Sequence, residues 1–125
     1  MVINDPAVLA EVTSQFEAYE AALMANEVET LNGFFWRSDE VLRFGITENL
    51  YGYEAIIGFR KNRVGGSPQR ILGRTVISTF GRDLGTANTE FQRIGGTRMG
   101  RQSQTWVRFP EGWRIVAGHI SELSG

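Results

Sequence analysis

The residue types able to do chemistry in this chain are tyrosine, arginine, serine, threonine, carboxylates and one histidine, His119. The 125 residues include no cysteine, which excludes disulfides, thiolate zinc sites and a cysteine nucleophile. One histidine cannot build a multi-histidine metal site, so no metal is expected. Of the 13 basic residues only Lys61 is a lysine, and the forked guanidinium of arginine matches small planar anions such as carboxylates. The composition favours anion binding, although GC-rich coding would also raise the arginine content.

The stretch from Arg101 to Ser121 predicts a β-hairpin with one graded face. Turn residues at 110–112, Pro-Glu-Gly, separate two runs with period-two alternation. Antiparallel counting pairs Phe109 with Trp113, Val107 with Ile115, Thr105 with Ala117, Ser103 with His119 and Arg101 with Ser121. This face changes from apolar to polar, which predicts a cavity wall where Arg101, Ser103 and His119 contact a ligand. A β-bulge would move such side chains to the opposite face.

The other face of the predicted hairpin mixes aromatic, aliphatic and polar residues. It carries Gln102, Gln104, Trp106, Arg108, Arg114, Val116 and Ile120. Subunit interfaces are enriched in aromatic residues and arginine, so this face predicts a homodimer. An ordinary solvated sheet with some exposed apolar residues is the alternative.

The elements that position these residues follow from periodicity and turn chemistry. Asp5 and Pro6 predict a helix start, and the helix runs to about Ala25 with Tyr19 in the middle of its apolar stripe. Asn26 with Glu29 resembles a capping box that opens a short second helix. The next elements are a strand at VLRFG, residues 41–45, a helix over 53–63, and strands near 69–80, 84–94, 99–109 and 113–121. The order predicts one α+β domain over residues 1–125.

Other classes of protein fit the sequence poorly. The net charge of −1 disfavours a broad nucleic-acid surface. No segment approaches the roughly 20 apolar residues of a membrane span, and the amino terminus lacks a signal-peptide pattern, so a cytoplasmic protein is expected. No phosphate-binding or dinucleotide glycine pattern is present, so no cofactor is expected.

The segments DPAVLAEVTSQFEAYEAAL, VLRFG, YEAIIGFR and GRQSQTWVRFPEGWRIVAGHIS resemble the NTF2-like (SnoaL-like) superfamily. Within it, the chain is most similar to the AtzH-like group linked to oxalurate and cyanuric acid catabolism. The resemblance covers Asp5 to Ser121. It implies a cystatin-like cone, in which a curved antiparallel sheet wraps around the long first helix and encloses a cavity. It also implies a decarboxylase that converts 1,3-dicarboxyurea to allophanate beside amidases of the same pathway, with Tyr19 and Arg43 as the active-site pair.

The chemistry of N-carboxyl loss suits those two residues. The reaction needs a proton donor near the nitrogen, which Tyr19 can supply, and a cationic group that holds a carboxylate, which Arg43 can supply. A substrate with two carboxylates needs a second cation, for which Arg101 is the first candidate and Arg74 a weaker one. Ser103 and His119 would add hydrogen bonds.

Two other classes of function stay open at the level of sequence. The chain could be a noncatalytic binding or assembly module for an amidase partner. It could also be an isomerase or hydratase, as in other NTF2-like enzymes, which would need a carboxylate base such as Asp39 or Glu90 inside the cone.

Overall fold

The computed structural model of the protein describes residues 1–124, and they form helices on one side of a mixed sheet. The helices are α1 (Pro6–Met24), α2 (Val28–Asn32) and α3 (Tyr53–Lys61). The strands are β1 (Leu42–Phe44), β2 (Asn49–Tyr51), β3 (Arg70–Phe80), β4 (Leu84–Arg93), β5 (Met99–Phe109) and β6 (Gly112–Glu122). No helix among these residues is long and apolar enough to cross a membrane.

Helix α1 begins at a capped end and buries one stripe. The Asp5 carboxylate accepts hydrogen bonds from the backbone N–H groups of Ala7 and Val8, and Pro6 occupies the first helical position. The predicted apolar stripe is buried and includes Val8, Val12, Phe16, Tyr19 and Leu23. α1 packs against β3 and β4, so this stripe covers the concave side of the curved sheet.

The sheet has the strand order β2-β1-β6-β5-β4-β3. All neighbours are antiparallel except β1 and β6, which are parallel. The α+β architecture with a long first helix against the sheet is as expected, but the sheet is mixed rather than purely antiparallel. Strand β2 was not predicted, because three residues are too few to show alternation.

A β-bulge in β6 makes the predicted graded face wrong. At the polar end, Ser103 lies opposite His119 and Thr105 opposite Ala117 as expected, but Trp106 lies opposite Ile115, so Val116 is an extra residue. The extra residue reverses the alternation of β6 relative to β5. The concave face therefore combines Gln102, Gln104 and Trp106 of β5 with Trp113 and Ile115 of β6, all buried.

The same bulge corrects the predicted dimer surface. Three residues assigned to the subunit interface, Gln102, Gln104 and Trp106, are buried inside the subunit. The indole N–H of Trp106 donates to Gln104 Oε1 at 3.1 Å, so the two side chains satisfy each other within the core. Homodimerisation stays a prediction, but these residues cannot form its interface.

The predicted capping box at the start of α2 is also wrong. Asn26 adopts a positive φ of 54°, and α2 begins after Glu27 without a side-chain capping bond. Asn26 instead packs its amide beside Gly66, where a Cβ would lie 2.5 Å from Asn26 Oδ1. This contact joins the end of α1 to the loop that follows α3.

Two glycine-to-alanine variants should change stability in opposite directions. A Cβ at Gly100 would lie 2.1 Å from Cζ of the buried Phe91 ring, so Gly100→Ala is expected to destabilise the protein by about 1–3 kcal/mol. A Cβ at Gly58, in α3, meets nothing within 4 Å, so Gly58→Ala should stabilise by about 0.5–1 kcal/mol. Urea unfolding of both variants measures the two changes. A destabilised Gly58→Ala, or an unchanged Gly100→Ala, would contradict these packing distances.

Candidate functional site

A cavity of about 310 Å³ opens beside α1, between the β1–β2 hairpin and the loop after α3. Its wall includes Tyr19 and four arginines, Arg43, Arg63, Arg70 and Arg93. A cavity of this size fits a small molecule. The concentration of guanidinium groups suits an anion.

Arg43 reaches this cavity because β1 turns its side chain to the concave face. Leu42 and Phe44 point to the other side, and Arg43 is only 6% exposed. Its Nη1 lies 3.3 Å from Oε2 of Glu48, which the β1–β2 turn brings back over Gly45. Thr47 Oγ1 donates to the other oxygen of Glu48 at 2.8 Å. Arg43 is thus a buried guanidinium held by one carboxylate, with further N–H donors for a ligand.

Tyr19 enters the cavity from the middle of α1. It is 1% exposed, and its ring packs edge-on against Phe34 and Phe35 with centroid distances of 5.6 and 6.1 Å. These aromatic contacts hold the ring at the cavity wall. Tyr19 and Arg43 line the same wall.

Arg70, at the start of β3, forms the most extensive polar contacts of the site. Its Nε and Nη2 donate to the two oxygens of Glu20 at 3.1 and 2.6 Å, a forked pairing between β3 and α1. Nη2 also donates to Oε1 of Gln102 at 3.0 Å, and the guanidinium lies 4.5 Å from the centroid of the Phe91 ring. The side chain of Arg70 is only 4% exposed.

A small inner void adjoins the main cavity on the sheet side. Tyr19, Arg43 and Ile120 line both spaces, and the void of about 10 Å³ has room for about one water molecule. Gln102 also lines the void, and its buried Nε2 has no hydrogen-bond partner among residues 1–124. Because Arg70 fixes Oε1 of this amide, an N–H donor is left for a ligand or water beside Tyr19.

Arg63 and Arg93 complete the positive wall. Arg63 follows α3, and its Nη1 lies 3.5 Å from Ser67 Oγ. Burial, together with the guanidinium groups of Arg43, Arg93 and Arg60, lowers the pKa of Arg63, while Glu48 opposes that shift. Arg93 has a carboxylate neighbour, Glu122, at 3.9 Å. The cation cluster is therefore only partly neutralised by protein carboxylates.

The AtzH-like family model matches residues 1–125. The chain belongs to the AtzH-like family. A comparison with curated proteins finds no significant match.

Solved structures similar to this AtzH-like chain share its fold. A protein of unknown function from Pectobacterium atrosepticum is 50% identical with a TM-score of 0.95, over 98% of this chain and 95% of that one. A cystatin-like fold protein from Burkholderia xenovorans is 42% identical with a TM-score of 0.95, over 100% and 98% of the two chains. An NTF2-like protein of unknown function from Pseudomonas putida is 14% identical with a TM-score of 0.79, over 94% and 87%. The last likeness shows the NTF2-like fold alone.

The structure of the AtzH-like chain lines one cavity with Tyr19 and Arg43, leaves His119 at the border of the inner void, and places Arg101, Ser103 and Arg74 outside both spaces. Arg101 and Ser103 are exposed on the convex face of the sheet, where Ser103 donates to Asn88 Oδ1 at 2.6 Å. His119 is also exposed, and its ring packs edge-on against Phe44, although the residue borders the inner void. These three were assigned to the cavity on the assumption of unbroken alternation in β6, which the bulge at Val116 interrupts.

Arg74 is excluded from the cavity of the AtzH-like chain by a second bulge. Leu72 lies opposite Phe91 and Thr75 opposite Thr89, so Gly73 and Arg74 share one partner position in β4. Arg74 is exposed and lines an open depression on the convex face with Arg101 and Ser103. The cationic residue of β3 that enters the cavity is Arg70.

The prediction from sequence missed Glu48, Arg63, Arg70, Arg93 and Gln102. A signal existed for Arg93, which alternates with the buried residues Thr89 and Phe91 on β4. Glu48 and Arg63 lie in connections without periodicity, so no pattern identifies them. No group of three or more His, Asp or Glu in the described part of the chain could hold a metal ion.

Proposed function

We propose that this chain is a cofactor-independent decarboxylase that removes an N-carboxyl group from a small dicarboxylated urea. The proposed reaction converts 1,3-dicarboxyurea to allophanate in cyanuric acid or related ureide nitrogen catabolism. The observation that carries the proposal is one cavity that is lined by a buried tyrosine, a buried arginine and three further arginines. Membership of the AtzH-like family supports it.

The proposed step needs one proton donor and one carboxylate clamp. The guanidinium of Arg43 holds the substrate by a carboxylate and orients it toward Tyr19. The bond between the carboxyl carbon and the nitrogen breaks, and its electron pair goes to the nitrogen, which takes the Tyr19 hydroxyl proton. Carbon dioxide leaves, the nitrogen of the product ureide is now a neutral N–H, and water returns a proton to the Tyr19 phenolate.

The remaining side chains of the cavity suit this substrate class. A dicarboxylated urea has a planar skeleton with two anionic ends and a central carbonyl, and arginine binds planar carboxylates well. The unpartnered N–H of Gln102 borders the inner void that Tyr19 also lines, where it would donate to a substrate oxygen or to one bridging water. The main cavity excludes large ligands, since it measures about 310 Å³.

A carboxylate base of the kind used by an isomerase or hydratase is not free in this cavity. Asp39 is exposed, and Glu90 lies on the convex face of the sheet. Glu48 lines the cavity, but its two oxygens are engaged by Arg43 and Thr47. These contacts favour decarboxylation by Tyr19 over proton abstraction by Glu48.

Tyr19→Phe is expected to reduce decarboxylation of 1,3-dicarboxyurea by about 100-fold, because it removes the proton donor but keeps the ring. Carbon dioxide release from freshly prepared substrate, corrected for spontaneous loss, measures the rate. Tyr51→Phe is the matched control, since Tyr51 is 64% exposed and is not among the residues that line the cavity, and it should keep the wild-type rate. A folded wild type without turnover, or full turnover by Tyr19→Phe, would overturn the proposal.

The rival assignment is a noncatalytic partner of an amidase. It would be favoured by stable co-purification with an amidase of the same pathway together with no acceleration of carbon dioxide release. Size-exclusion chromatography with light scattering in the same experiment reports whether the chain forms the expected homodimer.

A further inference from the structure

We propose that Arg63 and Ser67 form a second carboxylate subsite, which makes the cavity selective for dianions over monoanions of the same shape. The inference rests on the proposed function for the identity of the substrate. It assigns the far carboxylate, the one that is retained in the product, to the loop after α3.

The first support is the distribution of ion pairs around the cavity. Arg43 pairs with Glu48 at 3.3 Å, Arg70 with Glu20 at 2.6 Å and Arg93 with Glu122 at 3.9 Å. Arg63 is the cavity arginine with no carboxylate within 4.0 Å among residues 1–124. The guanidinium of Arg63 is therefore available to pair with a negatively charged group of a ligand.

The second support is the position of Arg63 relative to Arg43. Both guanidinium groups lie over the same Phe59 ring, with Cζ to centroid distances of 5.7 Å for Arg63 and 5.8 Å for Arg43. The two positive charges therefore lie in one region of the cavity, where they repel each other. A ligand with a carboxylate at each end can engage both.

The third support is the loop that carries the subsite. Gln69 Nε2 donates to the Met24 carbonyl at 2.9 Å, and Gly66 packs against the Asn26 side chain at the end of α1. These contacts hold the loop at the cavity edge. Ser67 accepts from Arg63 Nη1 at 3.5 Å, so its own hydroxyl proton is free to donate to a carboxylate oxygen beside the guanidinium.

The electrostatic environment agrees with this geometry. Burial and three neighbouring guanidinium groups lower the pKa of Arg63. The positive charge of Arg63 is therefore energetically unfavourable when no ligand is bound in the cavity. A carboxylate bound next to Arg63 would offset the repulsion from Arg43 and Arg93.

A matched pair of stable ligands tests the subsite without turnover. Glutarate has the same five-atom skeleton length as 1,3-dicarboxyurea, and glutaramate has nearly the same shape with one carboxylate replaced by a neutral amide. Isothermal titration should show wild type binding glutarate at least about tenfold more tightly than glutaramate. Arg63→Gln should weaken the binding of glutarate by about tenfold and the binding of glutaramate by less than about threefold.

Two further variants keep the test decisive. Ser67→Ala should weaken glutarate by about threefold without changing glutaramate, and it reports on the subsite if Arg63→Gln fails to fold. Arg82 lies in the exposed turn between β3 and β4, so Arg82→Gln is the control that removes the same charge from the molecule. This variant should bind both ligands as wild type does. Equal losses for both ligands in Arg63→Gln, or no selectivity in wild type, would overturn the subsite.

The outcomes separate this inference from the proposed function. Selectivity for glutarate that depends on Arg63, without decarboxylation by wild type, keeps the subsite and removes the proposed reaction. Decarboxylation that depends on Tyr19, with Arg63→Gln unchanged in dianion binding, keeps the reaction and removes the subsite.

Discussion

Arg43→Gln is expected to lower kcat/KM for 1,3-dicarboxyurea by about 10³-fold, the largest loss of activity among single variants of this chain. The substitution removes the guanidinium that holds the departing carboxylate. It also leaves Glu48, otherwise 3.3 Å from Arg43 Nη1, as an uncompensated negative charge in the cavity. The second effect repels an anionic substrate, so both kcat and substrate affinity should fall.

The double variant Arg43→Gln/Glu48→Gln separates these two effects. It removes the repulsion from Glu48, so glutarate affinity should recover in part, whereas kcat should stay low because the clamp is still missing. Arg98→Gln, at an exposed position before β5, is the charge-matched control and should behave as wild type. If Arg43→Gln keeps kcat/KM within about threefold of wild type, Arg43 is not the clamp.

Glu20→Ala is expected to reduce the free energy of unfolding by about 3–5 kcal/mol, because it leaves the charge of Arg70 buried without its carboxylate. The side chain of Arg70 is 4% exposed and donates twice to Glu20. Urea unfolding measures the loss. Glu17→Ala, one turn earlier on the exposed side of α1, is the matched control and should change stability by less than about 0.5 kcal/mol.

Removing both charges should be less harmful than removing one. In Glu20→Ala/Arg70→Met no buried charge is left, so stability should return most of the way to wild type. A Glu20→Ala variant that loses less than about 1 kcal/mol would show that water reaches Arg70 and compensates it. Saturating glutarate should stabilise Glu20→Ala more than wild type, since the freed guanidinium gains an anion.

The sequence was sufficient to predict the long elements and two of the residues that line the cavity. The stripe of α1 and the alternation in β3 to β6 are regular over many residues, so their bounds agree with the structure within a few positions. Tyr19 lies within that stripe, and Arg43 alternates with Leu42 and Phe44 on a short strand. The family resemblance then singled out these two among many polar residues.

The rest of the site depends on features that periodicity does not contain. The bulges at Val116 and at Gly73 with Arg74 each add one residue, and each reverses the face of every residue beyond it. In β6 the neighbouring apolar residues Ile115 and Val116 were compatible with either phase. Gln102 was therefore placed on the wrong face from its own strand pattern.

Glu48 and Arg63 lie in connections between helices and strands, where no periodic pattern predicts the position of a side chain. Glu48 and Arg63 reach the cavity through backbone turns and loop contacts whose partners are distant in sequence, such as Gln69 with Met24. Residue types alone cannot reveal such contacts. Only the folded structure shows that these two residues line the cavity.

The two bulges also constrain how chains of this kind can change length. A bulge bends its strand and increases the local twist, so the extra residues in β3 and β6 contribute to the concavity of the sheet. Deleting Val116 would pair Ile115 and Ala117 with Trp106 and Thr105 without a bulge, so the strand would straighten while His119 stays on the convex side and Ile120 on the concave side. The loss of a bulge residue would therefore change the shape of the cavity but keep its inward side chains, whereas the turns at 81–83 and 95–98 can vary in length without altering either.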